Sequence, residues 1–240
     1  MTMIPVILVT AGSVGLGSAV SRLFSKHGYR VIVNYSANKV RAGELVSELN
    51  AATTSSGGHL AIQADMSSRP EVERLVQETY QATGRIYVIF SNAGWSQFRD
   101  TTSLDDNRFD EDWDCAYTIN VKSHLWLLHA ARDHLAENEG CFVTTSSIAG
   151  ISGMGSSLAY GVSKAAQIHM VKGLATMFGP SIRVNSISPG LVLTQKEEHE
   201  SQTRSKRFAR LEDIAEQVLC LARNQSITGV NVTIDAGYVR

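Results

Sequence analysis

Continuously apolar stretches of strand length alternate with amphipathic stretches of helical length along most of this chain. Such runs indicate strands buried on both faces, because strands of this kind lose the alternation of polar and apolar positions. The sequence predicts strands at residues 4–10, 29–35, 59–64, 86–91, 141–146, 182–188 and 230–235. It predicts helices at residues 16–27, 39–51, 70–83, 111–137, 157–178 and 211–223.

Strands that alternate with helices in this way are typical of βαβ units. The predicted fold class is therefore α/β, a doubly wound Rossmann-like fold with a seven-stranded, mainly parallel sheet and helices on both faces. The Ser/Gly-rich stretch at 52–58 is interpreted as a turn, because strand-like sequence resumes directly after it. Residues 1–240 are expected to form a single domain.

Composition narrows the function classes. The chain has 240 residues, 43% of them hydrophobic, with 22 basic and 23 acidic side chains. This balance gives no bulk electrostatic reason to bind nucleic acid or a membrane surface. No apolar run is long enough to cross a bilayer, and the start of the sequence lacks a signal-peptide pattern. The three cysteines are widely spaced, so neither a disulfide framework nor a metal site is expected, and the predicted compartment is the cytoplasm.

A glycine cluster follows the first predicted strand and precedes the first predicted helix. It contains Gly12, Gly15 and Gly17, with Ser13 and Leu16 between them. Glycine at such a turn permits positive φ and a close approach of the backbone to an anion, and a helix N-terminus presents free N–H groups. An ordinary tight turn is the alternative, but the strand-to-helix context favours a pyrophosphate site.

The end of the second predicted strand is where a dinucleotide fold places the residue that faces the adenosine ribose. Asn34 is assigned to this position, followed by Tyr35 and Ser36, and none of the three is acidic. A carboxylate there would repel the 2′-phosphate of NADP, and the basic residues Lys39 and Arg41 lie just beyond. NADP(H) is therefore predicted over NAD(H), unless the two basic residues are simply solvated helix charges.

Tyr160 and Lys164 stand four residues apart near the start of a predicted helix, so their side chains share one face. The pair alone is weak evidence for a catalytic site. However, Ser147 follows a buried strand, whose carboxyl end brings this serine to the same edge of the sheet. Ser146 is the weaker candidate, because adjacent strand residues point to opposite faces.

These three residue types suit proton-coupled hydride transfer. A tyrosine pKa near 10 is too high for an efficient acid or base near neutrality, and a neighbouring ammonium such as Lys164 is expected to lower it. Ser147 would orient a substrate oxygen, and Tyr160 would protonate it.

With these residues in this order, the sequence resembles the short-chain dehydrogenase/reductase family, of the short single-domain type, over essentially its whole length. TAGSVGLG resembles the glycine-rich loop of the family, and SSIAG and YGVSK match its catalytic serine, tyrosine and lysine. The resemblance implies that Asn120 completes a catalytic tetrad with Ser147, Tyr160 and Lys164, and that Lys164 also bonds the nicotinamide ribose. It further implies cofactor contacts at Asp65, Met66, Asn92, Ala93, Gly94, Tyr160, Pro189, Gly190, Val192 and Thr194.

Four positions depart from the family pattern. Ala11 stands where the first loop glycine is usual, and Val14 where many NADP-preferring members carry a basic residue. Ser91 replaces the first Asn of the NNAG turn, and Ala236 replaces a glycine near the end of the sequence. The first two bear on cofactor affinity and preference, whereas none of the four touches the proton chain.

The sequence says less about the substrate pocket than about the cofactor site. Trp95, Met154 and Leu191 are expected to line an apolar substrate pocket with Ser147 and Tyr160, although ordinary packing explains these three equally well. Residues 195–207 form a long polar segment that is either a solvated loop or a mobile lid. Small and apolar residues on helices 111–137 and 157–178 favour a homodimer or homotetramer, as in the resembled family; deeper burial within the monomer is the alternative.

The predicted function is an NADP(H)-dependent oxidoreductase that interconverts a ketone and a secondary alcohol, acting on a small molecule as a ketoreductase. The alternative from another class is a catalytically silent dinucleotide-binding regulator or scaffold, which the intact tetrad disfavours. An S-adenosylmethionine methyltransferase would also use a glycine-rich turn, but it would not need the Tyr160 and Lys164 pair.

Overall fold

One parallel sheet organises the molecule. A computed structural model describes residues 4–52, 58–153, 155–192 and 203–238. Within these residues seven strands pair in the order β3-β2-β1-β4-β5-β6-β7, and every pair is parallel. The strands are β1 Val6–Val9, β2 Arg30–Tyr35, β3 Leu60–Gln63, β4 Val88–Ser91, β5 Cys141–Thr145, β6 Arg183–Pro189 and β7 Asn231–Ile234.

Helices cover both faces of this sheet. They are α1 Gly15–Lys26, α2 Lys39–Ala52, α3 Arg69–Thr83, α4 Asp110–Tyr117, α5 Ser123–Ala136, α6 Leu158–Phe178 and α7 Leu211–Arg223. Apolar residues of α1, α2 and α7 pack on one face, and those of α3, α5 and α6 pack on the other. This arrangement confirms the predicted doubly wound α/β fold. No helix in the described ranges has the length and apolar character that a membrane crossing requires.

The helix predicted at 111–137 is present, but it is not regular along its length. The structure has α4, a π-helical turn at Thr118–Lys122 and then α5. A π turn accommodates one extra residue without ending the helix, so the apolar periodicity on either side still indicates one continuous helix. Asn120 lies inside this turn and is completely buried.

The strand order reverses between β1 and β4, which makes the crevice at their carboxyl ends the expected ligand site of such a sheet. Thr10 joins the two ends there. Its hydroxyl oxygen accepts hydrogen bonds from the backbone N–H groups of Asn92 at 2.8 Å and Ala93 at 3.0 Å. The turn after β4 is thereby fixed beside the turn after β1.

Candidate active site

The glycine-rich turn between β1 and α1 has the shape of an anion cradle. A Cβ at Gly17 would lie 2.2 Å from the Ala11 carbonyl oxygen, so only glycine fits there. Gly15 has a φ of +52° and faces open space. No side chain caps α1, which leaves its first N–H groups available to a phosphate. These features fit the pyrophosphate of a dinucleotide, with Gly12, Ser13 and Leu16 in the same turn.

Asn34 does not face the ribose as predicted. Its side chain is 1% exposed: Oδ1 accepts from the Ala11 N–H at 3.2 Å, and Nδ2 donates to the Ala64 carbonyl at 3.1 Å. The residue therefore ties the glycine-rich turn to the strand ends. The positions that remain open to a ribose are Tyr35, which is half-buried, and Ser36, which is exposed. Alternation along β2 is the physical reason, because residue 34 points into the protein and residue 35 points to the other side.

The opposite wall of the crevice comes from the ends of β3 and β4. Asp65 is exposed, and its Oδ1 accepts from the Ser67 N–H at 2.8 Å, while Met66 is buried beneath it. The Asn92 Oδ1 accepts from the Thr145 hydroxyl at 3.0 Å. A Cβ at Gly94 would lie 3.6 Å from the Lys164 Nζ, so the backbone of this turn runs directly beside the lysine.

Asn120 is held by three hydrogen bonds. Its Oδ1 accepts from the Trp95 N–H at 2.8 Å, and its Nδ2 donates to the Trp95 carbonyl at 3.0 Å and to the Ser163 hydroxyl at 2.9 Å. The π turn aims the side chain at the loop after β4, where this double contact with one backbone unit can form. The asparagine thus links α6 to the turn that carries Gly94.

The two serines after β5 point in opposite directions, as strand alternation predicts. Ser146 is buried and its hydroxyl donates to the Lys164 carbonyl at 3.0 Å. Ser147 is half-buried; its Oγ accepts from the Ala149 N–H at 3.1 Å, and its side chain is near enough to the Tyr160 phenol to lower the pKa of that phenol. Ser147 is therefore the serine that can meet a substrate oxygen.

Lys164 is buried directly behind this pair. Its Nζ donates to the Thr145 carbonyl at 2.7 Å and to Gln167 Oε1 at 3.2 Å, and it lies 5.7 Å from the centre of the Tyr160 ring. Burial lowers the pKa of Lys164 to about 7. The ammonium consequently titrates near neutrality, far below a solvated lysine.

The expected lowering of the Tyr160 pKa by Lys164 is not what the structure gives. Burial raises the pKa of Tyr160 above its usual value, and the hydrogen bond from Ser147 opposes this rise. The reason is that the phenol is itself largely shielded from water, and charging it there is costly. Ser147 is the neighbour that favours the phenolate in this geometry.

The third side of the crevice follows β6. Pro189 ends that strand and is buried, and the Gly190 N–H donates to the Ile234 carbonyl at 2.9 Å. Gly190 packs so closely on Asp235 that a Cβ would come within 2.7 Å of its Cα. Val192 pairs with Ala209, while Leu191 is 50% exposed. Met154, Thr194 and residues 195–202 of the predicted lid lie outside the described residues.

Trp95 is half-buried beside Asn120. A cavity of about 450 Å³ lies elsewhere, between residues 101–104, residues 149–153 and the outer face of α6. Its lining includes Leu158 and Val162 but neither Ser147 nor Tyr160. The two reactive side chains are therefore not part of that cavity's wall.

Several site residues were missed by the sequence analysis. Thr10, Thr145 and Gln167 each bond a residue of the candidate site, and Ser163 bonds Asn120. A signal for Gln167 existed, since it is three residues after Lys164 and therefore on the same helix face. Thr145 acts through its carbonyl, which no residue type reveals.

Taken together, a doubly wound sheet with a phosphate cradle at its switch point, and a tyrosine, a lysine and a serine converging beside it, defines a nicotinamide-dependent oxidoreductase. Comparison with known proteins gives the same class. A family model described as enoyl-(acyl carrier protein) reductase matches residues 10–239.

Relatives and solved structures agree along the whole chain. A Streptomyces violaceoruber protein, whose name assigns it to the granaticin polyketide synthase as a ketoacyl reductase, is 36% identical over 97% of this chain and 95% of its own. The 3-oxoacyl-[acyl-carrier-protein] reductase FabG of Staphylococcus aureus is 28% identical over 96% of both chains. A short-chain dehydrogenase/reductase structure from Serratia marcescens superposes with a TM-score of 0.88 at 27% identity, covering 98% of both chains.

The chain belongs to the short-chain dehydrogenase/reductase family. It is an oxidoreductase that acts on CH–OH or C=O groups with NAD(P) as the cofactor.

Proposed function

We propose that this protein is an NADP(H)-dependent ketoreductase that converts a ketone of a small molecule into a secondary alcohol. The observation that carries the proposal is the convergence of Ser147 and Tyr160 at the mouth of the crevice, with the Lys164 Nζ 5.7 Å from the centre of the Tyr160 ring. The relatives named as ketoacyl reductases support the direction and the substrate class.

Tyr160 is the proton donor in this proposal. The bound cofactor supplies the hydride for the carbonyl carbon, and the Tyr160 phenol gives its proton to the carbonyl oxygen. Ser147, which lies beside the phenol, turns its hydroxyl to the same oxygen and holds it in place. The products are the secondary alcohol and a phenolate that must be reprotonated.

Lys164 and Asn120 support that proton transfer. A charged Lys164 stabilises the phenolate that remains after the transfer, and its Nζ would also bond the ribose of the cofactor. Asn120 holds the turn after β4 and, as in the resembled family, would order the water that returns a proton to the lysine. Both roles depend on side chains that the fold has already fixed.

Preference for NADP(H) rests on the end of β2. Tyr35 and Ser36 are neutral and open, and Lys39 and Arg41 are exposed just beyond them. No carboxylate stands at 34–36 to repel a 2′-phosphate. Asp65 and Met66 would contact the adenine, and Asn92, Ala93, Gly94, Pro189, Gly190, Val192 and Thr194 would contact the rest of the cofactor.

Trp95, Met154 and Leu191 are proposed to form the apolar side of the substrate pocket, with residues 195–207 as its lid. The proposed assembly is a homodimer or homotetramer through α4, α5 and α6, where Phe109, Leu125 and Leu158 are 39%, 43% and 46% exposed. A single catalytic domain acting in the cytoplasm completes the proposal.

The test is reduction of a panel of 3-oxoacyl thioesters and cyclic aromatic ketones by NADPH, followed by loss of the nicotinamide absorbance. Tyr160→Phe should lower kcat by about 10²- to 10⁴-fold while leaving NADPH affinity unchanged. Tyr117→Phe, at an exposed tyrosine of α4, is the matched control and should keep full activity. Cofactor binding without turnover of any ketone, or an active Tyr160→Phe variant, would overturn the proposal.

A further inference from the structure

Lys164 is held by two neutral oxygen atoms. An ammonium has three N–H donors, and two of them go to the Thr145 carbonyl and to Gln167 Oε1. In the part of the chain that the structure describes, Lys164 forms no salt bridge. The charge of a 3% exposed lysine is therefore balanced by dipoles alone.

Gln167 lies one helical turn after Lys164 on α6 and is completely buried. Its amide orientation is determined, because an ammonium can only donate and must therefore face the amide oxygen. The amide nitrogen then points to β5, where it donates to the Thr144 hydroxyl. Gln167 thus connects the lysine to the same strand whose next residue, Thr145, supplies the other acceptor.

An apolar side chain would fill this position without the cost of burying an amide. The structure instead places a carbonyl dipole 3.2 Å from the ammonium, and a hydrogen bond to a charged group favours the charged form. We propose that Gln167 is a positioning residue that keeps Lys164 charged, turns its third N–H towards the active site, and so sets the alkaline limit of the reaction. This inference rests on the proposed role of Lys164.

Few other groups could produce the same pH dependence. On α6 the titratable neighbour is Tyr160, and on α5 it is His124, which burial and the nearby Lys164 hold neutral with a pKa of about 3. The charged residues of the other elements packed nearby do not face Lys164. Arg183 bonds carbonyls of α7, and Asp112 pairs with Arg99. The remaining charged side chains are exposed: Asp110, Glu111 and Asp114 on α4, and Lys122. Thr144, Thr145 and Asn120 are neutral.

Two substitutions of similar size separate this role from simple packing. Gln167→Met removes the acceptor and should move the alkaline limb of the kcat/KM profile for ketone reduction to lower pH by about one unit. Gln167→Glu replaces the dipole with a carboxylate and should move the limb to higher pH. A packing defect would lower activity at every pH and would not shift the limb in opposite directions.

Gln225 provides the matched control. Its Oε1 accepts from the Arg183 Nε at 3.1 Å, so it too is a glutamine bonded to a cation, but it is exposed and lies at the other end of β6. Gln225→Met and Gln225→Glu should leave the alkaline limb where it is. An unmoved limb in both Gln167 variants, or a shift of both in one direction, overturns the inference.

A second readout is independent of turnover. NMR titration of the full chain with ¹³C-labelled lysine, with the Lys164 signal assigned through Lys164→Arg, reports the lysine pKa directly. The pKa of Lys164 should fall in Gln167→Met and rise in Gln167→Glu. Equal pKa values in the wild type and both variants would contradict the role of Gln167. If the wild-type protein reduces no ketone, the proposed function fails while this titration still decides the inference.

Discussion

Ser91 and His124 share a hydrogen bond of 2.6 Å between two side chains that are both completely buried. Ser91 stands where the resembled family has the first Asn of its NNAG turn, and His124 faces it from α5 through Nδ1. The Nε2 of His124 has no hydrogen-bond partner among the described residues. A protonated ring would therefore carry an uncompensated donor in the core, close to Lys164.

His124 should make the fold sensitive to acid. Burial and the charge of Lys164 lower its pKa from 6.5 to about 3, so the unfolded chain binds the proton first as the pH falls. The contribution of His124 to stability is full above about pH 6.5 and is lost towards pH 3, at about 1.4 kcal/mol per pH unit. His124→Asn keeps a partner for Ser91 and should flatten this dependence in urea unfolding at pH 4.5 to 7.5.

The control for that experiment is His129→Asn, at an exposed histidine of the same helix. It should leave the pH dependence of the unfolding free energy unchanged. Identical slopes for wild type and His124→Asn would show that folding does not lower the pKa of His124.

Ala11 should limit the stability of the glycine-rich turn. Its φ of 47° lies in the left-handed region, which costs a residue with a Cβ about 1–2 kcal/mol. Ala11→Gly removes that strain but returns about 0.4–1 kcal/mol of freedom to the unfolded chain. The net expectation is a gain of between zero and about 1.6 kcal/mol in the free energy of unfolding. Ala19→Gly, inside α1, should instead lose about 1 kcal/mol, and a loss at both positions would contradict the strain argument.

Cofactor preference should respond at residue 35 and not at residue 34. Tyr35→Asp places a carboxylate at the half-buried, open position and should lower the NADPH-to-NADH ratio of kcat/KM by about 10-fold or more. Asn34→Asp turns a carboxylate towards the Ala64 carbonyl instead and should cost about 2 kcal/mol or more of stability. A stable Asn34→Asp protein with switched preference would reverse the assignment of these two positions.

Assembly should depend on the apolar face of α5. Leu125→Glu places a charge on an apolar side chain that is 43% exposed, and it should convert the proposed dimer or tetramer into smaller species in sedimentation velocity runs. Val40→Glu changes a still more exposed residue on α2 and should have no such effect. A wild-type protein that sediments only as a monomer would remove the oligomer proposal.

The sequence was sufficient for the sheet, because buried strands and βαβ connections leave strong local patterns, and it was sufficient to bring Ser147, Tyr160 and Lys164 to one place. It assigned Asn34 wrongly, because a strand covered on both faces has no polar and apolar alternation to show which of residues 34 and 35 points inwards. It missed Gln167, whose importance depends on the direction in which one amide faces. The apolar periodicity could not reveal the π turn, since one inserted residue leaves the apolar stripes on both sides intact.

That inserted residue is what gives Asn120 its place. A π turn widens the helix by one residue locally, and the helical turns on either side keep their faces. Deleting one residue within Thr118–Lys122 would therefore return the segment to a regular α-helix and leave α4 and α5 packed as they are. Asn120 would turn away from the Trp95 backbone and lose its bond to Ser163 on α6. An engineered variant can change residues of this segment, but it must conserve the length to keep the asparagine in place.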